Sequence, residues 1–150
     1  MTFAPAFASV PPETPAFSGC LLSPSPDVAR RARSFTRQTL ASWDLAELVD
    51  DAQVIVSELL ANAVRHAGIR QPDGGQGAWA AALGLWLVSH ADGLMCVVTD
   101  PSDSAPALKQ PGNTSESGRG LHLVHALSDH WGWTHLSERG KAVWAILFRG

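Results

Sequence analysis

Between Asp44 and His66 the apolar residues recur with the period of an α-helix. From Trp79 onward they fall into short strand-like runs joined by turns. That switch constrains the chain most, because a helix with one broad apolar face beside strand hairpins needs a layered α/β core. The helical segment carries Leu45, Leu48, Val49, Ala52, Ile55, Val56, Leu59, Leu60 and Ala63 on one arc, and Gly68 stands at its expected end. Within it, SELLANAVRHAG places Glu58, Asn62 and His66 at i, i+4 and i+8. Such residues drift only about 40° per step, so they form one column at the edge of the apolar arc.

The other elements follow from punctuation and period. Prolines crowd residues 1–15, which read as a flexible tail ahead of a single domain over 16–150. Phe17 to Leu22 suits a strand. Ser25 or Asp27 can cap a helix from about Asp27 to Ser42, whose Arg30, Arg31, Arg33 and Arg37 read as a solvated face. Strands are expected at Trp79–Ser89 and Leu94–Thr99 around a turn at residues 90–93. A loop follows to Gly118, then a helix from Arg119 to about His130. A second hairpin pairs Trp131–Leu136 with Ala142–Phe148. The order β-α-α-β-β-loop-α-β-β predicts a two-layer α/β sandwich, with a mixed, mostly antiparallel sheet and helices on one face.

Bulk properties exclude several classes. With 45% apolar and 17% charged residues in 150, one soluble globular domain is expected. The net charge of -3 shows no basic footprint for nucleic acid. Cys20 and Cys96 form no CxxC pair and read as small hydrophobes in a reducing compartment. The N-terminal stretch lacks a basic region and an uninterrupted apolar core, so it is not a secretory signal, and no run is long enough to span a bilayer. A cytoplasmic protein is the expectation.

Three features carry chemistry. Glu58 and Asn62, four apart, can offer oxygens to a hard cation, with the carboxylate as a base; ordinary boundary hydrogen bonding is the competing reading. Ser117-Gly-Arg-Gly-Leu121 opens a helix, where backbone amides and the helix dipole favour an anion, although a plain turn would look the same. Asp100 ends the run Val97-Val-Thr-Asp100, at a pocket mouth or as the cap of a turn. His122 and His125 with Asp129 make a weak metal pattern, and helix-boundary histidines explain them better.

In order, these features resemble the nucleotide-binding boxes of the Bergerat-fold ATPases, the group that includes gyrase and the histidine kinases. SELLANAVRHAG resembles the box that holds the metal. VVTDPSD resembles the box with the adenine-reading Asp, and SGRGLHLVHALSDHWGW the glycine box with its helix. The short length and the WGW resemble one branch, the anti-sigma-factor serine/threonine kinases and their actinobacterial relatives, over about residues 17–149. The resemblance implies ATP and Mg²⁺ as cofactors. It implies Asn62 as the Mg²⁺ ligand, Glu58 as general base and Asp100 as the acceptor for the adenine amino group. Gly118, Arg119, Gly120 and Leu121 would bring amides to the phosphates, His66 would support the pocket edge, and residues 101–117 would form the lid. Implied partners are a sigma factor and an anti-anti-sigma antagonist protein, with a homodimer left open.

The sequence departs from that pattern in three places. Pro101, Ser102 and Asp103 stand where a glycine usually follows the Asp. Ala142 stands near a position that usually carries Thr. Ser115-Glu116-Ser117 holds the place of an Arg near the lid end. These departures favour the alternative, a non-catalytic module acting by protein contact with weak or no nucleotide binding. A histidine-kinase catalytic half is disfavoured, since the chain holds no preceding helical hairpin with a phosphoacceptor His.

Overall fold

The computed structural model describes residues 15–66, 82–90, 92–102 and 116–150. Strand β1 (Ala16–Leu22) leads to helix α1 (Val28–Ser42), a 3-10 turn at Ala46–Leu48, and helix α2 (Val49–His66). Strands β2 (Leu83–His90) and β3 (Gly93–Asp100) form the first hairpin. Helix α3 (Glu116–Leu127) precedes the second, β4 (His130–His135) and β5 (Lys141–Phe148). The five strands make one sheet in the order β1-β2-β3-β5-β4. Every described pairing is antiparallel, so the sheet is antiparallel rather than mixed. Residues 1–14 of the expected tail, Gly68 and Trp79 lie outside the described residues.

Alternation along the strands builds the two faces. Leu83, Leu85 and Leu87 on β2, Leu94, Cys96 and Val98 on β3, and Val143, Ala145 and Leu147 on β5 are buried toward the helices. Against them α2 packs Ala52, Ile55, Val56, Leu59, Leu60 and Ala63, all in one core. This central helix also contacts α1 and α3, so the helical layer turns on it. The α1 arginines Arg30, Arg31, Arg33 and Arg37 are exposed, as the solvated-face reading expects. Arg30 pairs with Asp27 at 2.9 Å.

The end of α1 explains why α2 starts later than its apolar period suggests. Asp44 adopts φ 59°, and its amide reaches Ala41 O at 3.2 Å while the Leu45 amide reaches Leu40 O at 2.8 Å. These are the two bonds of a Schellman motif, with a left-handed residue at C′ and a buried apolar residue after it. Asp44 therefore terminates α1 rather than opening α2.

On the far face of the sheet, tryptophans lie over glycines of the edge strands. Gly19 faces Trp86 and Gly132 faces Trp144 in register. A Cβ on Gly19 would come within 1.9 Å of the Trp86 ring, and one on Gly132 within 2.6 Å of Trp144. Phe17 then stacks on Trp86 at 5.6 Å. Trp131 and Trp133 of β4 turn the other way, against the core. Cys96 is buried and free. Cys20 is also free but only half-buried, because it sits on an edge strand.

Candidate functional site

The column on α2 does not stay at the rim. Glu58 is half-buried, whereas Asn62, one turn on, is 2% exposed. The 40° drift per step carries the column inward toward Ile55 and Leu59, so Asn62 sits inside the apolar arc. Its Nδ2 has no hydrogen-bond partner among the described residues. A buried donor without an acceptor costs about 1–3 kcal/mol, and a helix this apolar had many cheaper choices there. Glu58 makes no hydrogen bond or ion pair among the described residues, so its carboxylate remains an available acceptor. The side chain of His66 lies outside the described part, although its backbone closes α2.

Asp100 ends β3 on the helix side, in phase with Cys96 and Val98, and is 4% exposed. Its Oδ1 accepts the Ser102 amide at 2.8 Å, a local turn that the Asp-Pro-Ser sequence favours. The same oxygen accepts from Lys141 Nζ at 3.1 Å, and Nζ lies 3.0 Å from Oδ2. Both side chains of the pair are fully buried. The ammonium thus sits against both carboxylate oxygens, and Oδ2 has no second donor among the described residues. The close approach of the two strands depends on Gly140, whose φ is 91° and whose Cβ would sit 2.3 Å from Asp100 O.

Lys141 is the residue that reading the sequence missed. The register pairs Asp100 with Lys141 and Thr99 with Ala142. Alternation therefore turns position 142 away from Asp100, so a hydroxyl there would not reach the carboxylate. The residue that bonds Asp100 from β5 is Lys141. A signal did exist: the lysine is the one charged residue in the strand Lys141–Phe148 and opens it.

Helix α3 begins at Glu116, three residues before the expected Arg119. Gly118 thus falls within its first turn, where backbone amides lack intrahelical acceptors and the dipole is positive. Leu121 is buried, at 0% exposure. The side chains of residues 116–120, including Arg119, and the loop residues 103–115 lie outside the described part. Among the described residues no group of three His, Cys, Asp or Glu could hold a metal. His125 Nδ1 accepts from Trp131 Nε1 at 3.1 Å, and Asp129 accepts the Phe148 amide at 2.7 Å, so both are occupied structurally.

The described donor set fits a nucleotide with its cation. Asp100 Oδ2 can take an amino group, and the Asn62 amide can give its oxygen to a hard cation or its N–H to a phosphate oxygen. A half-buried, unpaired Glu58 stands one turn away from Asn62 on the same helix.

A two-layer α/β sandwich with one antiparallel sheet, a buried Asn62 amide without a partner among the described residues and a glycine in the first turn of α3 suit an ATP-binding domain. The family model for the histidine kinase-like ATPase domain matches residues 22–147, and the chain belongs to that family. No curated protein matches the chain. No helix among the described residues is long and apolar enough to cross a membrane.

Proposed function

We propose that the chain is a cytoplasmic regulator that binds ATP with Mg²⁺ and phosphorylates a serine or threonine on an antagonist protein. In this reading a sigma factor and its anti-anti-sigma antagonist are the partners, and a homodimer is compatible with it. The observation that carries the proposal is the buried Asn62 amide, whose Nδ2 has no partner among the described residues, with Glu58 one turn from it. A core that bears such costs without a ligand is built for one.

Asp100 would orient the base through Oδ2. Asn62 would hold the cation, and the first-turn amides of α3 would meet the phosphates. Bound Mg²⁺ supplies charge neutralisation of the phosphate oxygens. Glu58 would accept the hydroxyl proton of the target residue as that oxygen bonds to the γ-phosphorus and the bond to ADP breaks.

The experiment mixes the purified chain with labelled ATP, Mg²⁺ and candidate antagonists. Label transfer that disappears with Glu58→Gln is the expected result. Absence of transfer to any antagonist, with ATP binding intact, would refute the kinase reading.

One observation favours a second reading, the non-catalytic module. The Asp100 carboxylate already has an internal cation in Lys141, so the site does not need a ligand to neutralise it. Such a module would bind its protein partner equally with and without ATP.

A further inference from the structure

Lys141 and Asp100 face each other at the ends of β5 and β3, on the helix side of the sheet. The lysine side chain is fully buried, and among the described residues its ammonium has Asp100 as its one hydrogen-bond acceptor. An ammonium carries three N–H groups, so this one retains donor capacity in a place without solvent. Asp100 is complementary. Its Oδ1 accepts from Ser102 N and Lys141 Nζ, while Oδ2 has only the ammonium beside it and keeps lone-pair capacity for a further donor. The pair therefore presents a donor and an acceptor 3.0 Å apart, locked by the Gly140 close approach.

We propose that Lys141 is a base-reading residue: its ammonium donates to ring N1 of adenine while Asp100 Oδ2 accepts from the 6-amino group. This rests on the nucleotide-binding reading above and deepens it. The Watson–Crick edge of a 6-aminopurine carries an acceptor beside a donor, which matches the pair. Hypoxanthine and guanine reverse the order, with a keto oxygen at position 6 and an N–H at position 1. In the same pose they would set donor against donor and acceptor against acceptor. A lone carboxylate would oppose only one of these two groups, so the lysine adds discrimination at N1. Because the pair is neutral before the base arrives, a neutral base enters without stranding a charge.

Calorimetry with Mg²⁺ and four diphosphates tests this on the full chain: ADP, 1-deaza-ADP, purine riboside diphosphate and IDP. ADP is expected to bind ten-fold or more tighter than 1-deaza-ADP, and IDP to bind weakest. In Lys141→Met the ADP and 1-deaza-ADP affinities should converge, while loss of the 6-amino group still weakens binding. Equal affinity of the native chain for ADP and 1-deaza-ADP overturns the proposal, as does a penalty that persists in Lys141→Met. If Lys141→Met does not fold, the charge-balanced Lys141→Met/Asp100→Asn chain takes its place. The N1 penalty should vanish there too, and its persistence would refute the role of Lys141. Binding that depends on the 6-amino group but not on N1 leaves the nucleotide reading standing and removes Lys141 from it. Failure of all four diphosphates to bind removes both.

Discussion

Replacing Asn62 by leucine should make the protein more stable while removing its ligand. Asn62 is 2% exposed, and its Nδ2 has no partner among the described residues. Leucine keeps the branched shape at Cγ and places two methyl groups where the amide stood, on the helix that carries the buried Ile55, Leu59 and Ala63. The unsatisfied donor costs about 1–3 kcal/mol, and the substitution recovers that amount with little change of volume. At roughly 2–4 °C per kcal/mol for a domain of this size, the melting temperature should rise by about 2–12 °C. Urea unfolding of the native and Asn62→Leu chains, without nucleotide, gives the difference directly when the slopes agree. Loss of 1 kcal/mol or more in the variant would refute the reasoning, since it would show that the amide is satisfied in the free protein. A gain coupled to loss of ATP binding is the signature of a residue retained for function at the expense of stability.

The remaining predictions test the fold and the pair beside Asp100. Lys141→Met should lower unfolding free energy by about 3–5 kcal/mol by stranding a buried carboxylate, and adding Asp100→Asn should restore a large part of it, as read by a urea double-mutant cycle. Asp44→Gly should stabilise by up to about 1 kcal/mol, because φ 59° at the end of α1 suits glycine; a destabilised variant would show that Asp44 has a role beyond its backbone. Gly132→Ala should cost about 1–3 kcal/mol and alter tryptophan fluorescence, since the new methyl meets the Trp144 ring at 2.6 Å. Burial pushes the Cys96 thiol up to about 12. The folded value is raised, so its contribution is full below the unfolded value near 8.5 and is lost as pH climbs toward 12. Between pH 8 and 10 the native chain should therefore lose about 1–2 kcal/mol more in urea unfolding than Cys96→Val, and parallel profiles would contradict this burial.

Much of the architecture was legible because it depends on local periodicity. The α1 range, both hairpins and the single helical layer follow from spacing and turn residues, and the structure keeps them. The late start of α2 was hidden because Asp44 looks like a helix cap, yet it holds a left-handed conformation more typical of glycine. The early start of α3 was hidden because Ser115-Glu-Ser117 continues a polar loop in composition. Lys141 was missed for a different reason. Its partner lies 41 positions away in sequence, and only the β3–β5 register decides whether residue 141 or 142 faces Asp100. The same one-residue ambiguity drew attention to Ala142, which pairs with Thr99 rather than Asp100. Asn62 was legible as a polar residue in the column, but the degree of its burial depends on how closely α2 settles on the sheet.

If Mg²⁺-ATP completes the pocket, it supplies the partner that the buried Asn62 amide lacks and a further donor to the Asp100 carboxylate beside Lys141. Calorimetric titration of the native chain with ATP, with and without Mg²⁺, tests this most directly when Asn62→Leu is run alongside. One nucleotide per chain is expected, with affinity falling ten-fold or more when Mg²⁺ is chelated or Asn62 is replaced. Binding that is indifferent to both changes, or no binding to a native chain that unfolds cooperatively, would contradict it.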